Sequence, residues 1–180
     1  MQNRTPRMPE QLAPNHDGPD ARFTAELASV LTGARRRALR DGDRQIDTAH
    51  LLHSLIETDP EVREVFDGGP QPARVLGYLV QRSIGYGLRW QGSVEDSGAV
   101  PVVRPPAVDG WSPSALAAME GALYRAASRG EARACGLDLL AALASDTDSR
   151  AAEVLSRGGV DARRLADRVA ALRAGAARQG

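Results

Sequence analysis

The chain has 180 residues with 23 basic and 23 acidic side chains, enough for one well-buried domain and without the basic excess of a nucleic-acid binder. Every basic residue is Arg, which excludes a P-loop lysine, a Schiff-base lysine and a Ser-Lys dyad. The one cysteine, Cys135, closes no intramolecular disulfide and builds no Cys-rich zinc site, so a reduced, cytoplasmic protein is expected.

Residues 1–20, with Pro6, Pro9, Pro14 and Pro19, are polar, lack a signal-peptide apolar run and read as a disordered tail. No stretch reaches the roughly 18 apolar residues of a membrane helix, so a soluble protein is expected. Aromatics make up 4% of the chain, and β-branched residues are sparse beside Ala, Leu and Arg. Strand-like alternation is missing, and the expected fold is all-α.

Thr24 opens a first helix after Phe23, with Leu27, Val30 or Leu31, Ala34 and Ala38 at helical spacing, and Gly42 ends it. A second helix starts near Asp47 or Thr48 and carries Leu51, Leu52, Leu55 and Ile56. A short third runs from Pro60 to Phe66, closed by Gly68 and Gly69, and a fourth begins near Pro72 and buries Val75, Leu76, Leu79 and Val80. Residues 83–110, rich in Gly, Pro, Ser and Asp, form a connector.

The fifth helix has Ser112 as N-cap and Pro113 at its first position, where a missing N–H costs little. Trp111 precedes the cap, placed to staple onto Leu116. Leu116, Met119, Leu123 and Ala126 form its expected buried stripe, and Gly130 ends it. A sixth helix from near Gly136 carries Leu139, Leu140 and Leu143. A seventh spans about Ser149 to Arg157 before Gly158 and Gly159, and an eighth from near Asp161 buries Leu165, Val169 and Leu172.

Helices five to eight repeat helices one to four at an offset of about 88 residues. Phe23 matches Trp111, Thr24 Ser112, Gly33 Gly121, Ala34 Ala122, Ala38 Ala126, Gly42 Gly130, and Leu51, Leu52 and Leu55 match Leu139, Leu140 and Leu143. After one extra residue, Val65 falls on Val154, Gly69 on Gly158, Leu76 on Leu165 and Val80 on Val169. The expectation is two pseudo-symmetric four-helix repeats, 23–82 and 111–174, packed as one compact domain over 21–175.

The openings Phe23-Thr24 and Trp111-Ser112-Pro113, the segment Thr48-Ala49-His50-Leu51-Leu52 with Leu55, and the paired glycine breaks together resemble the Clp N-terminal domain, the double four-helix repeat of AAA+ unfoldases such as ClpA and ClpC. The resemblance spans Phe23 to Ala174. Where that family has the acidic residue of its Thr-Glu-His segment, this chain has Ala49 and Leu137; the second histidine is Asp138 and the second threonine Gly136. No ATPase module follows in this sequence, so the resemblance implies the docking module without the motor.

It also implies a non-catalytic, cofactor-free monomer whose partners are a peptide or protein ligand, an adaptor, a cyclic-peptide antibiotic or a Clp ATPase, with no nucleic acid and no membrane. The implied groove lies between the first helices of the two repeats and is lined by Leu31, Arg35, Trp111, Leu116 and Glu120, with the hydroxyls of Thr24 and Ser112 at the repeat starts. In some ClpC relatives those hydroxyls and the missing acids take phosphoarginine; with Ala49 and Leu137 in place, this chain is expected not to.

Other residues have blander readings. His50 and His53 lie three apart on one helix, but no acid completes a His-Glu-x-x-His pattern, so no metal is expected; His16 sits in the tail. Cys135, at a helix start where a thiol pKa can fall, has no partner base, and no Gly-x-Ser-x-Gly elbow exists, which argues against a small hydrolase. Arg35, Arg36, Arg37 and Arg40 form a basic cluster that reads first as a solvated face; its functional alternative is a nucleic-acid or other anionic partner. Trp111 keeps two readings, a core staple and a ligand-facing anchor.

Overall fold

The computed structural model describes residues 19–83, 95 and 110–176. The tail up to residue 18 and most of the connector, 84–94 and 96–109, lie outside the described residues. A 3-10 turn, Pro19–Arg22, takes the last two residues assigned to the tail and leads into eight helices. These are α1 (Ala25–Asp41), α2 (Thr48–Thr58), α3 (Pro60–Glu64), α4 (Gln71–Gln81), α5 (Pro113–Ser128), α6 (Gly136–Ser145), α7 (Arg150–Arg157) and α8 (Ala162–Ala176). The third helix ends two residues earlier than Phe66, because Val65 already caps it.

The caps follow the sequence. Thr24 and Ser112 hold extended backbone and accept from Leu27 N–H (3.2 Å) and Ala115 N–H (3.0 Å), each satisfying an orphan donor of the first turn. Gly42 closes α1 at φ 69°, a left-handed conformation that a side chain would strain.

Each repeat begins as a tight hairpin of its first two helices, α1 on α2 and α5 on α6. A glycine sits at each crossing. A Cβ at Gly33 would collide with Ser54 Oγ, which donates to Val30 O at 2.8 Å, and a Cβ at Gly121 would stand 3.3 Å from Ala142 Cβ. Residues 33 and 121, and 54 and 142, are related by the repeat offset, so both hairpins use the same close approach.

The repeats are interlocked, not merely adjacent. Phe23, ahead of α1, pairs with Ala134, ahead of α6, and Ile46, ahead of α2, pairs with Trp111, ahead of α5. Thr24 N–H donates to Ala134 O (2.9 Å) and Ala134 N–H to Arg22 O (2.9 Å); Ile46 N–H donates to Gly110 O (2.7 Å) and Ser112 N–H to Ile46 O (2.9 Å). The two sets are the same bonds read from opposite ends of a pseudo-twofold. Helices cross in the same way: α3 packs on α6, and α7 on α2 and α4. One core results, with Leu51, Leu52, Leu55 and Ile56 of α2 and Leu139, Leu140 and Leu143 of α6 fully buried at its centre.

Two burial expectations need correction. The inward face of α5 is Ser114, Ala115, Ala118, Ala122 and Ala126, while Leu116, Met119 and Leu123 lie partly buried at its edges. Small side chains face inward because α5 must approach α6 closely, as Gly121 shows. Val80 and Leu172 are exposed at 49% and 53%, since α4 and α8 are outer helices whose inward faces are served by Val75 and Leu79, and by Leu165 and Val169.

Candidate functional site

The bridge between Ile46 and Trp111 brings the N-terminal ends of α2, α5 and α7 together around one carboxylate, that of Glu95. It is 4% exposed. Oε2 accepts from Thr48 N–H (2.9 Å) and the Ser112 hydroxyl (2.8 Å); Oε1 accepts from Arg150 N–H (2.7 Å) and the Thr48 hydroxyl. Its own N–H donates to Gln45 Oε1 at 2.7 Å. Ser112 is thus both the cap of α5 and part of a buried polar seam between the repeats. Thr24, its counterpart, is half-buried and caps α1.

Beside this seam Asp47 caps α2. Its Oδ1 accepts from His50 N–H (3.0 Å), and Asp47 N–H donates to His50 Nδ1 (3.1 Å), a reciprocal capping box. Oδ2 accepts from Arg82 (2.6 Å) and Arg150 (2.7 Å). Burial alone would raise the pKa of this fully buried carboxyl, but the hydrogen bond and charge of His50, with Arg82 and Arg150, hold it well below the usual carboxylate range.

In the second repeat the acid has moved one turn. Cys135 stands where Asp47 does, and the carboxylate is Asp138, which accepts from Cys135 N–H (3.1 Å) and from Arg129 (2.5 Å). Arg129 also holds Glu131 (3.0 Å), keeping that carboxyl below its ordinary range, and Glu131 pairs with Arg173. Burial raises the Cys135 thiol, so the helix start does not make it a ready nucleophile.

Of the expected groove residues, Leu31 and Trp111 are buried, Leu116 is half-buried, and Arg35 and Glu120 are exposed. Trp111, 5% exposed, takes the staple position, and the Arg35 guanidinium lies 5.0 Å above its ring centroid. The basic cluster divides: Arg35 covers Trp111, Arg37 pairs with Glu57, and Arg40 reaches Asp41 at 3.5 Å. A cleft of about 510 Å³ opens elsewhere, between α5, α6 and α8, edged by Arg125, Arg129 and Arg173 over Ala141 and Val169.

His50 Nε2 lies near Asp41 and Asp43, within reach of a shared ion. However, both ring nitrogens are already engaged within the fold: Nδ1 lies 3.1 Å from Asp47 N and 2.9 Å from Asp47 Oδ1, and Nε2 lies 2.8 Å from Asp43 Oδ2. His53 is 2% exposed, and its Nε2 lies 3.4 Å from Glu57 without closing a hydrogen bond; burial, with the charge of Arg37, pushes its pKa down to about 4.

Sequence reasoning missed Glu95 and Arg150. Glu95 is one acid in a Gly- and Ser-rich connector, and no local pattern announces that it meets residues 47 positions before and 55 after it. The hydroxyls at 48 and 112 were the available signal, since buried hydroxyls need an acceptor.

No family model matches the chain, and no curated protein does. Solved structures do. The N-terminal domain of ClpD, a caseinolytic protease associated chaperone from Arabidopsis thaliana, superimposes with a TM-score of 0.61 at 18% identity, over 87% of this chain and 97% of that one. The Hsp104 N-terminal domain from Candida albicans gives 0.61 at 13% identity, over 84% and 91%. A structure from a malarial protein secretion system gives 0.58 at 12%, over 82% and 92%. No described helix is long and apolar enough to cross a membrane. With its doubled four-helix plan and interlocked repeats, the chain has the all-α fold of the Clp N-terminal domain.

Proposed function

We propose that the chain is a non-catalytic binding module of the Clp N-domain kind, taking a peptide, an unfolded protein segment, an adaptor or a cyclic-peptide antibiotic, and working with or against a Clp ATPase as a cytoplasmic monomer. The observation that carries this reading is the fold likeness over nearly the whole described chain. The conspicuous buried polar side chains support it, because Asp47, His50, Glu95 and Asp138 all close bonds that cap helices or join repeats.

The proposed docking face is the α1 and α5 side. Trp111 is its buried floor, Arg35 lies over that floor, and Leu116 and Glu120 lie along α5. A flat guanidinium on an indole offers both a stacking plate and a charge to an incoming peptide. Surface-immobilised protein titrated with a purified ClpC-type ATPase, and separately with unfolded casein, tests the reading. Saturable binding to at least one, weakened about tenfold by Arg35→Ala together with Glu120→Ala, is expected. Binding to neither refutes the function, and binding untouched by the double change moves the face elsewhere.

Free phosphoarginine is expected not to bind. Ala49 and Leu137 are buried, so no carboxylate replaces the acids that would pair its guanidinium. Calorimetric titration showing tight saturable binding would sink this part of the reading.

A further inference from the structure

The Glu95 carboxylate is received by a set of donors that do not depend on it for their positions. Thr48 N–H and Arg150 N–H are first-turn amides of α2 and α7, groups that helix geometry leaves without an intrahelical acceptor. The Thr48 hydroxyl accepts from Ala151 N–H (2.9 Å) and the Ser112 hydroxyl from Ala115 N–H (3.0 Å), which anchors each oxygen while its proton is donated to Glu95. Ser112 is further fixed by its own N–H, which donates to Ile46 O (2.9 Å). Thr48 belongs to the first repeat and Ser112 and Arg150 to the second, so the interlock itself assembles the receptor.

We propose that this seam is a carboxylate-binding site, occupied in the native chain by its own Glu95, and that a small free carboxylate takes the place when the glutamate side chain is removed. The ligand class follows from the donors. Two oxygens are each served by two donors, which matches a planar carboxylate; the further oxygens of a tetrahedral phosphate would be buried without donors among the described groups. In the native chain the place is filled by a tethered occupant, and Glu95, Thr48 and Ser112 are all buried.

The test is thermal melting of Glu95→Ala, Glu95→Gln and the native protein in sodium acetate, sodium phosphate and sodium chloride at matched ionic strength and neutral pH. Acetate is expected to raise the Tm of Glu95→Ala by about 3 °C or more above its value in chloride. The native protein and Glu95→Gln, whose seams are filled, should show no such difference. If Glu95→Ala is unfolded in chloride, acetate should restore its helical circular dichroism. A Glu95→Ala protein indifferent to acetate, or unfolded in every salt, overturns the proposal. So does an equal response from phosphate, from Glu95→Gln or from the native protein, since each would mark a general salt effect.

Discussion

The two seams of this domain share one backbone plan and fill it differently. At the first, Ile46 and Trp111 pair, and Thr48 and Ser112 present hydroxyls to a carboxylate from the connector. At the second, Phe23 and Ala134 pair, Thr24 replaces Ser112, and Gly136 replaces Thr48. A carboxylate is present there too, but a local one: Asp59 caps α3 through Glu61 N–H (3.0 Å) and Val62 N–H, and its Oδ2 lies where a Cβ on Gly136 would stand. Thr48 is needed where the acid must be bound over a long span of chain, and glycine where the acid already occupies the space. The repeat keeps the frame while the side chains divide the work.

Truncation should separate the seams most sharply at their aromatics. Trp111→Ala is expected to cost about 3–5 kcal/mol, because the ring is buried and capped by Arg35. Arg35→Ala should cost less, its stacking on the indole being worth about 0.5–1 kcal/mol, the range of an exposed cation-π pair. Denaturant melts of both variants check this, and a Trp111→Ala protein of native stability would return the ring to the role of exposed anchor. Next in size, Gly136→Ala should destabilise by about 1–3 kcal/mol, since the new methyl meets both Asp59 and Leu55. Adding Asp59→Ala should recover part of that loss despite removing a cap, giving a double-mutant coupling of stabilising sign. At the first seam, Thr48→Ala should cost about 1–3 kcal/mol by a different route, leaving Ala151 N–H and Glu95 Oε1 each one partner short. An additive Gly136–Asp59 cycle would break the contrast between the seams.

The fold was legible wherever the signal was local or repeated. Thr24, Ser112 and Gly42 cap where their chemistry requires, and the offset of about 88 residues carries Leu27 onto Ala115 and Val30 onto Ala118, which are the buried positions of α5. Choosing Leu116 and Met119 by bulk lost that register, because close helix approach selects for smallness where isolated amphipathicity selects for size. The candidate groove was drawn from the residues around the aromatic opening and stays a proposal; the cover placed by Arg35 over Trp111 had no sequence signal, since it depends on how the first helices of the two repeats come together. The Glu95 seam joins three separated segments and has no periodicity to reveal it.

A more gradual effect is a pH dependence lodged in the first repeat. His53 of α2 has Ala141 as its counterpart in α6, so the imidazole titration falls on one half of the pseudo-dyad. The folded state holds His53 down at about 4, against an ordinary value of 6.5. Above pH 6.5 the imidazole is neutral in both states and contributes no pH dependence. As pH falls from 6.5 toward 4, the unfolded chain takes up a proton that the folded chain refuses, so stability declines through that window and the decline from this group ends below it. The loss should be about 1–2 kcal/mol once solvent screening is allowed for. Asp47 works lower: its folded pKa is depressed, so its contribution is intact above its ordinary value of 3.8 and fades only as pH falls further. Urea melts from pH 7.5 to 4.5 should therefore show a slope that His53→Gln flattens, while the Asp47 contribution stays out of that range. An unchanged slope in His53→Gln would place the acid sensitivity outside α2 and erase this asymmetry between the repeats.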